Sequence, residues 1–187
     1  MSAVLDLPRH RFSRSQYERM VEAGIFGPGD RLELLAGEVI DMAPQKSRHA
    51  TAVTLLGDAL RDVFGSGATV RVQLPFALDD DSEPEPDVAV VPGPPRDYRD
   101  AHPTCALLLC EVSDTTLAYD RGPKLRAYAA AGVPEYWILD LTAGTLEVCR
   151  KPRRGDGYHE RRLIPAGGRI APQDRPDRSL LVQDLLP

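Results

Sequence analysis

The chain has 187 residues, the length of one domain and too short for two independent cores. Apolar residues make up 42% and charged residues 27%, a balance that excludes a disordered or collagen-like chain. The formal net charge of -5 argues against nucleic-acid binding through bulk charge alone, because phosphate neutralisation needs lysine and arginine.

In chain order, Ser13 with Gln16 forms a capping-box pattern, and Tyr17, Met20 and Val21 supply the apolar stripe of a short first helix that stops near Gly24. Arg31 to Met42 reads as a hairpin turning at Ala36-Gly37. Ser47 then caps a long helix, in which Ala50, Val53, Leu56, Leu60, Val63 and Phe64 recur at helical spacing. Val70, Val72, Leu74, Phe76 and Leu78 alternate with Arg71, Gln73, Pro75 and Ala77, the period of a half-buried strand, with Pro75 marking an edge or bulge. Asp87 opens a short buried strand, Pro92 to Pro103 forms a loop, and Cys105 to Val112 is a second apolar run with Glu111 near its end. Asp120 caps a further helix that ends at Gly132, and the EYWILD segment from Glu135 and the Thr145 to Arg150 segment form two strands around a turn. Later, Tyr158 to Ile164 reads as a strand, Arg169 to Ser179 as loop and Leu180 to Leu186 as a closing helical turn.

No apolar stretch approaches the roughly 20 residues of a membrane-spanning helix, and MSAVLDLPRHRF lacks the apolar core of a signal peptide. The expected location is therefore the cytoplasm, without a membrane partner. Cys105, Cys110 and Cys149 form no CxxC pair and read as reduced packing residues. Acidic residues dominate from Asp79 to Asp87, whereas Arg150, Lys151, Arg153, Arg154, Arg161, Arg162 and Arg169 make the late chain basic. Such a split fits a metal-carboxylate centre beside a basic rim, and it equally fits a pair of solvated faces.

The elements assemble into an α/β chain with one mixed sheet flanked by helices, an αβββαβ order in its middle. If the strands holding Asp87 and Glu111 are antiparallel neighbours, the two carboxylates meet at one edge. That pair suits Mg2+ or Mn2+, hard cations that keep waters able to attack a phosphodiester. Lys124, in the first turn of the following helix, can reach back over them and stabilise charge developing on phosphorus. Taken singly, Asp87 reads as a turn residue, Glu111 as a strand-end ion pair and Lys124 as a solvated helix residue. Glu111 is the exception that joins them, since a charge ending an apolar run needs a partner or a metal. Scattered histidines at positions 10, 49, 102 and 159 give no zinc spacing, and no GxSxG elbow is present.

The stretches PEPDVAVV (Pro84 to Val91), LLLCEVSDTT (Leu107 to Thr116) and DRGPKLRAYAAAGVPEYWILD (Asp120 to Asp140), with LELLAGEVIDM (Leu32 to Met42) and the Ser47-Arg48-His49 helix start, resemble the Uma-type restriction-endonuclease family of the PD-(D/E)XK superfamily. The resemblance covers roughly residues 31–150 and implies the restriction-endonuclease-like αβββαβ core and magnesium-dependent DNA cleavage. Residues 1–30 then form a helical extension and 151–187 a terminal strand and tail, all in one domain. The superfamily pattern places lysine two residues after the glutamate, where this chain has Ser113, so the resemblance assigns that role to Lys124. It also aligns Glu38 and His49 with polar positions of the family motif, as an added ligand or water-orienting group and as a nearby histidine. Asp120 is expected to cap its helix rather than bind metal, and for Asp114 both roles stay open.

Three functions remain open on the sequence: an active endonuclease, an inactive nucleic-acid-binding module of the same fold, and a metal-dependent hydrolase of another phosphate ester. A homodimer is expected from the class, since cutting both strands favours two-fold pairing.

Overall fold

A computed structural model describes residues 8–187. The reading of a leaderless amino terminus falls in part on residues 1–7, which lie outside the described residues. No described helix is long and apolar enough to cross a membrane.

Helix α1 (Arg14–Glu22) begins with the expected capping box, in which the Gln16 amide donates to Ser13 and the Ser13 amide to Gln16. Strands β1 (Leu32–Leu35) and β2 (Glu38–Asp41) form the hairpin. Its two-residue turn places both Ala36 and Gly37 at positive φ, 49° and 78°, the twist that suits a tight hairpin. A side chain at Gly37 would meet Arg11 Cβ at 2.6 Å, so this turn also seats the incoming chain.

Helix α2 (Ser47–Phe64) packs its apolar stripe on the sheet, where Leu56 and Leu60 are wholly buried. Burying each such side chain contributes about 1.5–3 kcal/mol. Its N-cap is Lys46 and makes no side-chain cap bond; Ser47 is instead the first helical residue. The main sheet runs β3 (Ala68–Val72), β4 (Val88–Pro92), β5 (Leu108–Ser113), β6 (Glu135–Asp140), β7 (Thr145–Arg153) and β8 (Gly157–Pro165), with all pairs antiparallel except β5 with β6. The parallel pair is joined by a crossover of α3 (Leu117–Tyr119), a π-helical turn (Asp120–Lys124) and α4 (Leu125–Ala130). This is the αβββαβ order with a hairpin added at one end and another before it.

The expected strand from Val70 to Leu78 is shorter: β3 ends at Val72, and Gln73 takes a φ of 50°. Pro75 cannot donate to a ladder, and β3 is an edge, so the chain leaves the sheet there and buries Phe76 under the opposite face. The expected loop from Arg169 carries a two-residue strand β9 (Arg169–Ile170), paired with β10 (Leu180–Leu181), before a 3-10 turn at Val182–Leu185.

Alternation along the strands sorts the core. Val88, Val90, Leu108, Cys110 and Val112 face α2, whereas Ala89, Val91 and Leu109 face the crossover with Tyr128 and Tyr136. By that parity Glu111 belongs to the crossover face. Cys110 and Cys149 are packing residues as expected, but Cys105 is exposed.

Candidate active site

Asp87 immediately precedes β4, and the register pairs Val88 with Cys110, which sets Asp87 beside Glu111 on the neighbouring strand. The Asp87 amide points at Glu111 Oε2 at 3.4 Å, while Val112 N–H donates to Asp87 Oδ2 at 2.8 Å. Lys124 descends from the crossover, its Nζ 2.9 Å from Glu111 Oε1 and 3.2 Å from Glu33 Oε2. Tyr128 donates to the same Glu111 oxygen at 2.8 Å. Asp87, Glu111 and Lys124, which lie 37 positions apart from first to last in the sequence, thus share one buried cluster.

The π-helical turn is what aims the lysine. Pro123 has no N–H to donate within a helix, and the Leu125 amide reaches back five residues to Asp120 O. One widened turn then places both Asp120 and Lys124 inward, buried to 2% and 4% exposure. Asp120 is not a helix cap. The helical run starts at Leu117 after Thr116, and the Asp120 carboxylate accepts hydroxyl hydrogen bonds from Ser113 at 2.6 Å and Thr116 at 2.7 Å. Ser113, at the superfamily's lysine position, therefore serves to hold the segment that carries Lys124.

Glu33 is the site residue that the sequence reading missed. Bridging between Leu34 and Glu83 stitches β1 to the segment before β4, which turns Glu33 under the crossover, where Tyr119 donates to Oε1 and the Glu85 amide to Oε2. It is 2% exposed. Glu38, expected here, is exposed on β2 and lines no part of the cavity. Glu38 directly follows the turn at Ala36-Gly37, and its side chain is left in water. The signal for Glu33 was present, a lone charge within Leu32 to Leu35.

His49, in the first turns of α2, meets Asp87 Oδ2 through Nε2 at 3.2 Å, and Gln73 donates to Oδ1 at 3.0 Å. The His49 Nδ1 is buried and has no partner among the described residues. Asp114 lies at the rim, 3.9 Å from Lys46. Together these groups floor a cavity of about 220 Å³ whose walls include Ile40, Met42, Pro44 and Tyr119.

Charge in the cluster is unbalanced. Burial pushes Glu111 well above the carboxylate range, and Asp87, Asp120 and Glu33 add to that, with Lys124 opposing. Burial alone would lower Lys124, but Glu111, Glu33 and Asp120 reverse it and hold the ammonium above its ordinary value. Asp87 would also rise by burial, yet His49, the Val112 amide and Gln73 bring it below the usual range. His49 in turn is raised by its bond to Asp87, against burial. Burial likewise raises Asp120 in spite of Lys124 and the two hydroxyls.

Four buried carboxylates, Glu33, Asp87, Glu111 and Asp120, thus face one lysine and one histidine. Their oxygens are the donors a hard cation takes, and Mg2+ needs only one or two carboxylates because it keeps much of its water. Among the described residues no three His, Cys, Asp or Glu side chains converge as a closed metal cage would require; Asp87 and Glu111 are the carboxylates that could hold a cation keeping most of its water.

The late basic residues, for which a rim to this centre was one of two readings, line no part of the cavity. The register puts Arg150 opposite Glu135, at the end where β6 begins, whereas the site lies toward the end where β5 and β6 finish. Arg150 is paired with Glu135, Arg161 with Glu147 and Lys151 with Glu160.

The family model Uma2, described as "Putative restriction endonuclease", matches residues 14–183. No curated protein matches the chain. Among solved structures, a crystal structure of a "putative nuclease belonging to DUF820" from Anabaena variabilis superposes with a TM-score of 0.74 at 14% identity, covering 93% of this chain and 97% of that one. At that identity the likeness establishes a shared fold.

Proposed function

The chain belongs to the Uma2 family, and from that premise we propose that it is a Mg2+- or Mn2+-dependent endonuclease that hydrolyses DNA phosphodiester bonds. One observation carries the reading: Glu111 accepts from Lys124 Nζ and lies against the Asp87 backbone amide, and all three residues line a single cavity. Asp87 and Glu111 would hold the cation, which when bound lowers the pKa of water and offsets phosphate charge. Lys124 stays protonated, so it acts as a fixed positive donor to the oxygens on which charge accumulates, not as the base. Glu111, itself held by the Tyr128 hydroxyl, orients that ammonium, and Glu33 holds it from the other side. The attacking water forms the new phosphorus-oxygen bond and gives its proton to a carboxylate of the cluster, while the ester oxygen departs and takes a proton from solvent water to leave as a hydroxyl.

Lys124 also favours turnover over the inactive-module reading, because the positive charge missing at Ser113 is supplied at the same glutamate from the crossover. The test is calorimetric titration of Mg2+ and Mn2+ into the parent and Asp87→Ala, with plasmid nicking alongside. Binding lost in the variant and nicking by the parent are the expected results. Metal binding with turnover of nucleotides alone would transfer the site to the other phosphate-ester class, and no metal binding at all would leave a degenerate module.

A further inference from the structure

We infer that the cavity admits an unpaired DNA strand, one nucleotide at the reaction point, and excludes an intact duplex; this rests on the endonuclease reading above. The first reason is depth. The Glu33, Glu111 and Lys124 side chains are 2%, 4% and 5% exposed and Asp87 10%, so the cluster lies beneath the surface on which a duplex would rest. A duplex carries its phosphates on a stiff convex cylinder, and neighbouring nucleotides meet the rim before one phosphate reaches the floor. A lone strand bends into a recess without unstacking a partner.

The second reason is size and lining. A cavity of 220 Å³ is below the roughly 300–1,000 Å³ of ordinary ligand sites. Its upper wall is Ile40 of β2 with Met42, Ala43 and Pro44, which follow that strand, and Tyr119 lines it from the crossover. Those side chains offer flat and apolar surface for a base and sugar, as single-strand sites do. The third reason is charge. Apart from Lys124 and His49, Arg31 and Lys46 are the basic residues lining the cavity, too few to track the two phosphate backbones of a duplex. Arg150 to Arg154 stand toward the other end of the sheet and cannot extend the same track.

A fluorescence-anisotropy titration tests this on Glu111→Gln protein with Mg2+, so that the DNA stays whole, using a labelled strand of about 12 nucleotides and its duplex. The strand should bind roughly tenfold tighter or better, and adding Ala43→Trp or Met42→Trp, which fill the mouth, should abolish that preference without moving the melting temperature. Ala43 is exposed, so at least that variant keeps the fold. Equal or tighter duplex binding, no binding of either DNA, or a preference indifferent to both tryptophans overturns the inference. Cleavage by the parent separates the two claims. Preferred duplex cutting would uphold the endonuclease and sink the strand; a strand preference sensitive to tryptophan, with nothing cut, would uphold the cavity's fit and sink the endonuclease.

Discussion

Two buried glutamates, Glu135 and Glu111, sit at opposite ends of the same pair of parallel strands and live in opposite electrostatic conditions. Glu135 is 0% exposed and fully answered: Trp137 Nε1 and Arg150 Nε donate to one oxygen, each at 2.8 Å, and the Gln173 amide donates to the other at 2.6 Å. Its neighbours are all donors. Glu111 is 3% exposed and shares its surroundings with three further carboxylates, while its second oxygen has only the 3.4 Å contact with the Asp87 amide. A satisfied buried charge marks structure; a buried charge left in surplus marks a place where something else is meant to bind.

Exchanging charge at the two ends is the sharpest way to break that contrast. Glu111→Gln should cost at least about 100-fold in turnover and abolish Mg2+ binding by calorimetry, while its melting temperature holds or rises as the like charges are relieved. Glu135→Gln should do the reverse, losing about 3 kcal/mol in urea unfolding with turnover per folded molecule unchanged. If Glu135→Gln also lost metal binding, the two ends would not be distinct.

Lys124→Met should be destabilised by about 3–5 kcal/mol, because Glu111, Glu33 and Asp120 lose their counter-ion. Added Mg2+ should recover part of that loss in thermal melts by binding the folded state alone. A variant as stable as the parent without metal would mean the ammonium does not balance the cluster.

The pH response sharpens the comparison further. Glu111 is raised by burial, so the folded state holds its proton more tightly than the unfolded chain does. Metal-free stability should then fall as pH rises above the ordinary 4.5 toward the raised value, and metal affinity should climb over the same range. The His49 contribution, from a raised pKa, is complete below 6.5 and lost as pH rises through the raised value; that of Asp87, from a lowered one, is complete above 3.8 and lost on acidification through the lowered value. Between those limits the pair is at full strength. Melting curves of His49→Gln should lack the upper dependence, and an unchanged profile would dissociate His49 from Asp87.

The smallest effect belongs to Glu38→Ala, which should stay within about 0.5 kcal/mol of the parent and cut normally, whereas Glu33→Gln should slow turnover by about tenfold or more.

Much of this was legible from residue order. The capping box, the hairpin and the long helix follow from local chemistry, whereas the antiparallel placement of Asp87 against Glu111 entered the sequence reading as a condition, which the register meets. Lys124 was legible as chemistry but not as geometry. Its reach depends on a five-residue hydrogen bond around Pro123, which periodicity cannot show. Glu33 was passed over because alternation along Leu32 to Leu35 sends it to the solvent side, yet β1 is covered on both faces. The argument applied to Glu111, a charge inside an apolar run, would have found it. The basic rim failed for a different reason: counting arginines along a chain says nothing of which end of a sheet they occupy.

The ammonium and imidazole already seated on the carboxylates have a consequence for how the molecule matures. Proteins whose acids have no internal partner must wait for an ion before they close. If the proposed cation binds, Lys124 and His49 act as placeholders for it, so the chain can finish folding first and be loaded later. Chelation should then switch the site off and leave an intact scaffold, making metal supply a reversible dial on an already assembled molecule.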